Sequence, residues 1–321
     1  MPSVSVIIPN YNHENFLSQR IESILNQTFR DFELIILDDC STDNSLKIIN
    51  QYKNNSKVNQ IVTNDINSGS VFKQWEKGIS LSQGKYIWIA ESDDWAELNF
   101  LEKLVPPLDT DCSLGLVYSD SNTINCVSPN IVTQGEIKCK MYNTNKWKAD
   151  YTNNGINEIN TFLYRNCTVN NASAVLFRKE ALLKVNPFDI PFHLIGDWYA
   201  YLKICTKYNI AYINAPLNNY RQHAANTSLT GFKQLKHLRE YYTIYSWIID
   251  NFDSIPVKDI EKYFLNKMAH SFLGNKKNII NTYRELNTIN PDLFNLMIKQ
   301  KVQNIPNTVY KYLKKSFTIN K

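Results

Sequence analysis

Carboxylates placed in pairs, where apolar runs stop, are the first chemistry this sequence offers. Asp38-Asp39 closes the run that starts at Leu34, and Glu91-Ser92-Asp93-Asp94 follows Tyr86 to Ala90. A third polar cluster, Pro9-Asn10-Tyr11-Asn12, ends the run that starts at Val4. Mg²⁺ and Mn²⁺ take oxygen ligands and are commonly shared between one or two carboxylates and substrate phosphates, so Asp93 and Asp94 suit a divalent cation. The same pair would equally cap the helix expected from Leu98. No GxGxxG follows the first run and no GxxxxGK[ST] occurs, which disfavours a dinucleotide-binding dehydrogenase and excludes a P-loop. A nucleotide diphosphate held without such a loop needs a metal and basic side chains, which adds weight to the carboxylates.

These clusters need elements that carry them to one place. Val4–Pro9, Leu34–Leu37, Gln60–Thr63, Tyr86–Ala90 and Gly115–Tyr118 are short apolar runs, as expected of strands buried on both faces of a parallel sheet. Between them, Phe16, Leu17, Ile21, Ile24 and Leu25 recur at helical spacing, with Asn12 as a candidate cap. Asp43 is placed to cap a second helix, Val71–Leu81 reads as a third and Leu98–Leu108 as a fourth. Alternation of this kind predicts an α/β domain with ligands outside the carboxyl ends of its strands, where all three clusters sit. Residues 121–170 are Asn-rich and weakly periodic, the look of a functional loop region. Ser173–Phe177 reads as a strand, Asp197–Tyr208 as a helix and Ile210–Ile213 as the last strand. Beyond Gly231 the pattern turns helical, so the expected division is 1–230 and 231–321.

The segments VSVIIPNYNHENFLSQRIESILNQTFRDFELIILDDCSTDNS and GKYIWIAESDDW resemble the family 2 glycosyltransferases. The likeness runs from Pro2 to about Ser228. It implies a GT-A fold, a Rossmann-like and mostly parallel sheet with flanking helices, here followed by a helical C-terminal region. It further implies metal-dependent, inverting transfer of a sugar from a nucleoside diphosphate sugar, a UDP-sugar by expectation, onto a saccharide or lipid-linked saccharide in bacterial surface polysaccharide synthesis.

Position by position, the resemblance sets Pro9, Asn10 and Tyr11 against the nucleoside and Asp39 on the uracil ring, supported by Asp38. Lys73 stands where the family often has Arg near the base or diphosphate. Asp93 and Asp94 fall on the DxD-like motif, with Asp94 expected to ligate Mn²⁺ or Mg²⁺ and Asp93 nearer the ribose; Glu91 stands where the motif usually opens with Asp. Ile195-Gly196-Asp197-Trp198 resembles the segment that delivers the catalytic base, making Asp197 the candidate to take the acceptor's proton. Helix capping is its other use. Trp198 would offer a sugar platform or fill the core. Arg221 and His223 match a segment near the diphosphate, where Arg suits phosphate and a neutral His completes a metal shell.

Composition narrows the alternatives. The net charge of +5 is spread among 30 acidic residues, which does not indicate nucleic-acid binding. After Leu293, Lys299, Lys301, Lys311, Lys314, Lys315 and Lys321 occur with no acid, either a solvated face or a membrane-surface patch. The C-terminal helices are expected to bind acceptor, form a homodimer or touch a membrane. Six cysteines without metal spacing, and Met1 leading straight into a strand, point to the cytoplasm, peripheral to the membrane if the lysines bind it. A nucleotidyltransferase of related fold would present a Gly-rich basic loop after the first strand, and this chain has none; a silent binding protein would not need carboxylates at 39, 94 and 197.

Overall fold

The computed structural model describes residues 1–125, 131–223, 236–272, 285–291 and 293–294. The chain falls into two compact units, Met1–Ala224 and Ala225–Lys321. The first unit opens with β1 (Val4–Asn10), α1 (Glu14–Leu25), β2 (Phe32–Asp38), α2 (Ser45–Gln51), β3 (Val58–Thr63), α3 (Val71–Leu81) and β4 (Tyr86–Ile89). It continues with β5 (Trp95–Ala96), α4 (Phe100–Thr110), β6 (Leu114–Asn125), β7 (Val132–Thr133), α5 (Gln134–Tyr142), β8 (Tyr151–Asn153) and α6 (Gly155–Glu158). It closes with β9 (Val175–Arg178), α7 (Lys179–Val185), α8 (Gly196–Cys205) and β10 (Asn209–Gln222). In the second unit the described residues include α9 (Lys236–Asn251) and α10 (Val257–Phe272).

The strands make one sheet in the order β3-β2-β1-β4-β9-β6-β10-β5, with β7 on β6 and β8 on β10. β3, β2, β1 and β4 pair in parallel, as does β10 with β6, while β9 runs antiparallel between β4 and β6. The fold is α/β with a curled, mostly parallel sheet, as expected from the alternation. Burial on both faces explains the unbroken apolar runs of β1, β2 and β4, while β3 at the sheet edge is half-buried. Val6, Ile8, Leu34, Ile36 and Trp88 pack with Leu17, Ile21 and Ile24 of α1 and Phe100 and Leu104 of α4 in one core. On the other face α3 lies so close that a Cβ on Gly78 would stand 2.5 Å from Ile7 Cγ2.

The chain leaves β1 toward α1 and β2 on one side, and β4 joins β1 on the other. The crevice at this switch point is where an open α/β sheet takes its ligands. Two regions differ from expectation. β6 runs to Asn125 and is followed by β7, α5, β8 and α6, so the weakly periodic stretch is structured in its described parts. Its polar strand residues escaped notice because each is satisfied internally: Asn170 Nδ2 donates to the Ser119 carbonyl at 2.6 Å and Asp120 Oδ1 accepts from the Gly135 amide at 2.8 Å. β10 likewise continues past Ile213 to Gln222, because register shifts on either side of Pro216 absorb the residue that breaks the pattern.

The five described cysteines are in no disulfide. No helix among the described residues is long and apolar enough to cross a membrane. Cys126 and the six lysines after Leu293 lie outside the described residues.

Candidate active site

The loop after β1 and the loop after β2 are tied together before any ligand is considered. Asn12 does not cap α1; at φ +57° it lies in the left-handed region and its Oδ1 accepts the Thr42 amide at 2.7 Å. The capping falls to Asp43, whose carboxylate accepts from the Glu14 amide of α1 and the Ser45 amide of α2, both at 2.9 Å. Glu14 Oε2 in turn accepts from the Asn44 amide at 2.7 Å. Two helix starts thus share one pair of reciprocal carboxylates, satisfying amides that helix geometry leaves open.

Asp38 is buried and serves this frame, accepting from Asn10 Nδ2 at 2.8 Å and Ser41 Oγ at 2.7 Å. Asp39 faces the next segment instead. Its Oδ1 accepts from Asn64 Nδ2, the Ser68 amide and Gln74 Nε2, and its Oδ2 from Ser68 Oγ at 2.8 Å. Oδ2 carries fewer bonds than its neighbour, which leaves acceptor capacity on that side. Pro9 lies within β1, Tyr11 is exposed, and Lys73 Nζ donates to the Ser68 carbonyl at 3.1 Å.

The loop after β4 carries the acids, and the end of β10 docks into it. The Arg221 amide donates to Asp94 Oδ1 at 3.0 Å, and Asn171 Nδ2 donates to Asp94 Oδ2 at 2.5 Å. Asp94 is 1% exposed, so both its oxygens face protein. The Arg221 guanidinium lies between Phe16 and Trp95, 4.5 and 4.6 Å from their ring centres, and donates to the Asp93 carbonyl and Gln19 Oε1. It holds the acid loop.

Two residues on, His223 Nε2 lies 3.1 Å from Asp93 Oδ2. His13 completes the group: one ligand atom each from His13, Asp93 and His223 lie within 4.8 Å of one another. The structure therefore gathers Asp93 and His223 with a residue the motif reading missed, and gives Asp94 a supporting position. His13 directly follows the Pro9–Asn12 cluster, which was the available signal.

Electrostatics separate the three acids. Burial pushes the Glu91 carboxyl up to about 8, with the Asp93 charge adding to it, while Trp75 Nε1 donates to Oε1 at 2.9 Å. Burial, then the Asp93 charge, raises Asp94 to about 7. Burial acts on Asp93 too, but the His223 hydrogen bond and the neighbouring imidazoles hold it below the usual carboxylate range. Burial lowers His13, against the upward pull of Asp93. Beneath them lies Arg20, fully buried on α1, donating from Nε to the Glu91 carbonyl at 3.0 Å and 5.1 Å from the Trp88 ring centre. Burial takes its guanidinium down to about 10 while Asp94 and Glu91 pull it back up. A charged residue between Leu17 and Ile24 on the apolar stripe was its sequence signal.

Asp197 stands in the first turn of α8, its Oδ1 accepting the Trp198 amide at 2.8 Å. Gly196 before it has no room for a side chain: a Cβ would meet Phe192 Cβ at 2.9 Å and the Phe72 ring at 3.0 Å. Ser70 Oγ donates to the Phe192 carbonyl at 3.0 Å, so the segment that contacts Asp39 also supports the approach to Asp197. Trp198 is no sugar platform. It is 1% exposed and donates from Nε1 to the Leu163 carbonyl at 2.9 Å, which places the ring in the core.

Comparison with known proteins gives this site a context. The family model for glycosyl transferase family 2 matches residues 5–184. The chain is 26% identical over 280 residues to the hyaluronan synthase of Pasteurella multocida, covering 84% of this chain and 26% of that protein. It is 27% identical over 235 residues to UDP-Glc:alpha-D-GlcNAc-diphosphoundecaprenol beta-1,3-glucosyltransferase WfgD of Escherichia coli, 73% of this chain and 82% of that one. Several relatives are much longer, and the chain spans 13% of the chondroitin synthase of Pasteurella multocida. Among solved structures, Staphylococcus aureus TarS 1-349 in complex with UDP-GlcNAc superposes with a TM-score of 0.67 at 19% identity, covering 89% of this chain and 80% of that one.

Proposed function

Because the chain belongs to glycosyl transferase family 2, we propose that it transfers a sugar from a UDP-sugar, with inversion, to a hydroxyl of a saccharide or lipid-linked saccharide. The observation that carries this reading is the meeting of Asp93 with His223 at the carboxyl ends of the strands, beside an Asp39 that keeps acceptor capacity on Oδ2. A carboxylate and an imidazole are a fitting donor pair for Mn²⁺, and the carboxylate also suits Mg²⁺. A divalent cation held there would supply positive charge to a leaving diphosphate. Asp39 Oδ2 would accept from the ring N–H of the base, and the segment around Ser68 and Lys73 would line the same side.

Inversion needs one displacement: the acceptor oxygen bonds to the anomeric carbon as the bond to the diphosphate oxygen breaks, and the hydroxyl proton passes to a carboxylate. Asp197 is that carboxylate, and Gly196 lets its backbone sit under Phe72. Support for UDP and for a lipid-linked acceptor comes from the substrates in the name of the Escherichia coli relative and from the UDP-GlcNAc complex of TarS. We assign the sugar-transfer machinery to residues 1–230 and acceptor or surface contacts to the helical remainder.

A melting screen with Mn²⁺ and a panel of UDP-Glc, UDP-GlcNAc, UDP-Gal and GDP-Man tests the proposal. UDP-sugars should raise the melting temperature, as ligands that bind only the folded state do, and Asp39→Ala should lose that response. A response to GDP-Man alone would overturn the UDP assignment, and no response to any would overturn the function.

A further inference from the structure

We propose that His13 is a third protein ligand of the divalent cation and that it sets the ion's identity, favouring Mn²⁺ over Mg²⁺. The inference rests on the metal-dependent transfer proposed above and goes beyond it, because neither the acid loop nor the end of β10 contains this residue.

Geometry comes first. The ligand atoms of His13, Asp93 and His223 all lie within 4.8 Å of one another, and small side-chain rotations would bring them to the ~3 Å that neighbouring ligands of one ion keep on bonds of about 2.0–2.3 Å. Both rings are held in place by protein alone. They meet edge to face at 5.8 Å, and Phe16 contacts both, at 6.1 Å from His13 and 4.6 Å from His223. The His13 carbonyl accepts the Phe16 and Leu17 amides at 3.0 and 3.1 Å, which anchors the residue to the start of α1. Its Nδ1 lies 2.7 Å from Ser92 Oγ, and Ser92 is buried. The tautomer that directs Nδ1–H at Ser92 Oγ leaves the lone pair on Nε2. Metal-bound imidazoles characteristically give their other ring nitrogen to such a fixed outer partner.

Chemistry then decides which ion. Mg²⁺ demands oxygen ligands in near-ideal octahedral geometry, whereas a first-row transition ion such as Mn²⁺ accepts imidazole nitrogen more readily than Mg²⁺ does. Asp93 with one histidine already suits Mn²⁺ somewhat better than Mg²⁺. A second imidazole tips the set toward Mn²⁺ while leaving positions for diphosphate oxygens.

The test is Mn²⁺ binding by the full chain, with and without UDP, followed by pulsed electron paramagnetic resonance that counts coupled ¹⁴N nuclei. The wild type should show two imidazole nitrogens and His13→Ala one. Mn²⁺ affinity should fall at least about tenfold in His13→Ala, with Mg²⁺ affinity less affected. His13→Gln, which keeps a polar side chain at the helix start, should behave the same way, and a melting curve separates ligand loss from unfolding. One imidazole in the wild type, lost in His223→Ala and kept in His13→Ala, would overturn the role of His13 while leaving metal dependence intact. No Mn²⁺ bound by the wild type under either condition would overturn both.

Discussion

Replacing Glu91 by Gln should change the pH dependence of stability in a direction the structure dictates. An unfolded glutamate ionises near pH 4.3, whereas folding holds this carboxyl protonated up to about 8. Between those values the folded chain carries one proton more than the unfolded chain, so stability falls as pH rises, by about 1.4 kcal/mol per pH unit. From pH 5 to pH 8 the ceiling is about 4 kcal/mol by that slope. Glu91 is only partly buried, and water reaching the ionised form reduces the expected share to about 1–2 kcal/mol. Gln cannot ionise but still offers Oε1 to Trp75. Urea unfolding in EDTA, followed at several pH values for both proteins, isolates the effect, since most other titrating groups are common to the pair. The stability of Glu91→Gln relative to wild type should increase by about 1–2 kcal/mol between pH 5 and pH 8. Parallel curves would mean that Glu91 is already ionised in the fold.

Asp197→Asn should lose about 10²–10⁴-fold in transfer with UDP-sugar affinity and melting temperature unchanged; near-full activity would assign the proton to another carboxylate. Asp43→Ala removes an acceptor shared by two helix starts and should cost about 1–2 kcal/mol at neutral pH. Burial pushes Asp43 up, but its hydrogen bonds from Ser45 and Glu14 outweigh that. The stabilisation is therefore present above the unfolded value and lost as pH falls through the folded one, so the two proteins should converge in acid melts. Gly84→Ala puts a Cβ 2.5 Å from the Ser5 amide nitrogen and 2.7 Å from the Val4 carbonyl carbon, and should cost at least about 1–3 kcal/mol. An unchanged melting curve would refute the clash.

Much of this architecture was readable because it repeats a local rule. The apolar runs of β1, β2 and β4 are buried on both faces, so their type follows from a few residues, whereas β3 at the sheet edge is only half-buried. The extended parts of β6 and β10 were not readable, since Ser119, Asp120 and Asn218 look like loop residues until their partners at Asn170, Gly135 and Asn171 are in place. The site divides in the same way. Asp39, Asp93, Asp197 and His223 stand out through motifs, whereas which of Asp93 and Asp94 faces His223 depends on where the Arg221 amide lands. Trp198 was ambiguous for a related reason: an aromatic ring beside a helix start has no preferred side until Leu163 offers it a carbonyl.

The strand order also fixes when the site can exist. β1 to β4 pair largely with neighbours in the sequence, so they can form as the chain emerges from the ribosome, N-terminal part first. β9 must then enter between β4 and β6, and β10 must lie down last to bring Arg221 onto Asp94 and His223 beside Asp93. Pairings between such distant segments form late and slowly. A nascent chain stopped before residue 223 would expose its buried carboxylates without their final partners. Until β10 is in place the residues proposed to hold the ion stay apart, so the step that brings them together is also the step that closes the sheet.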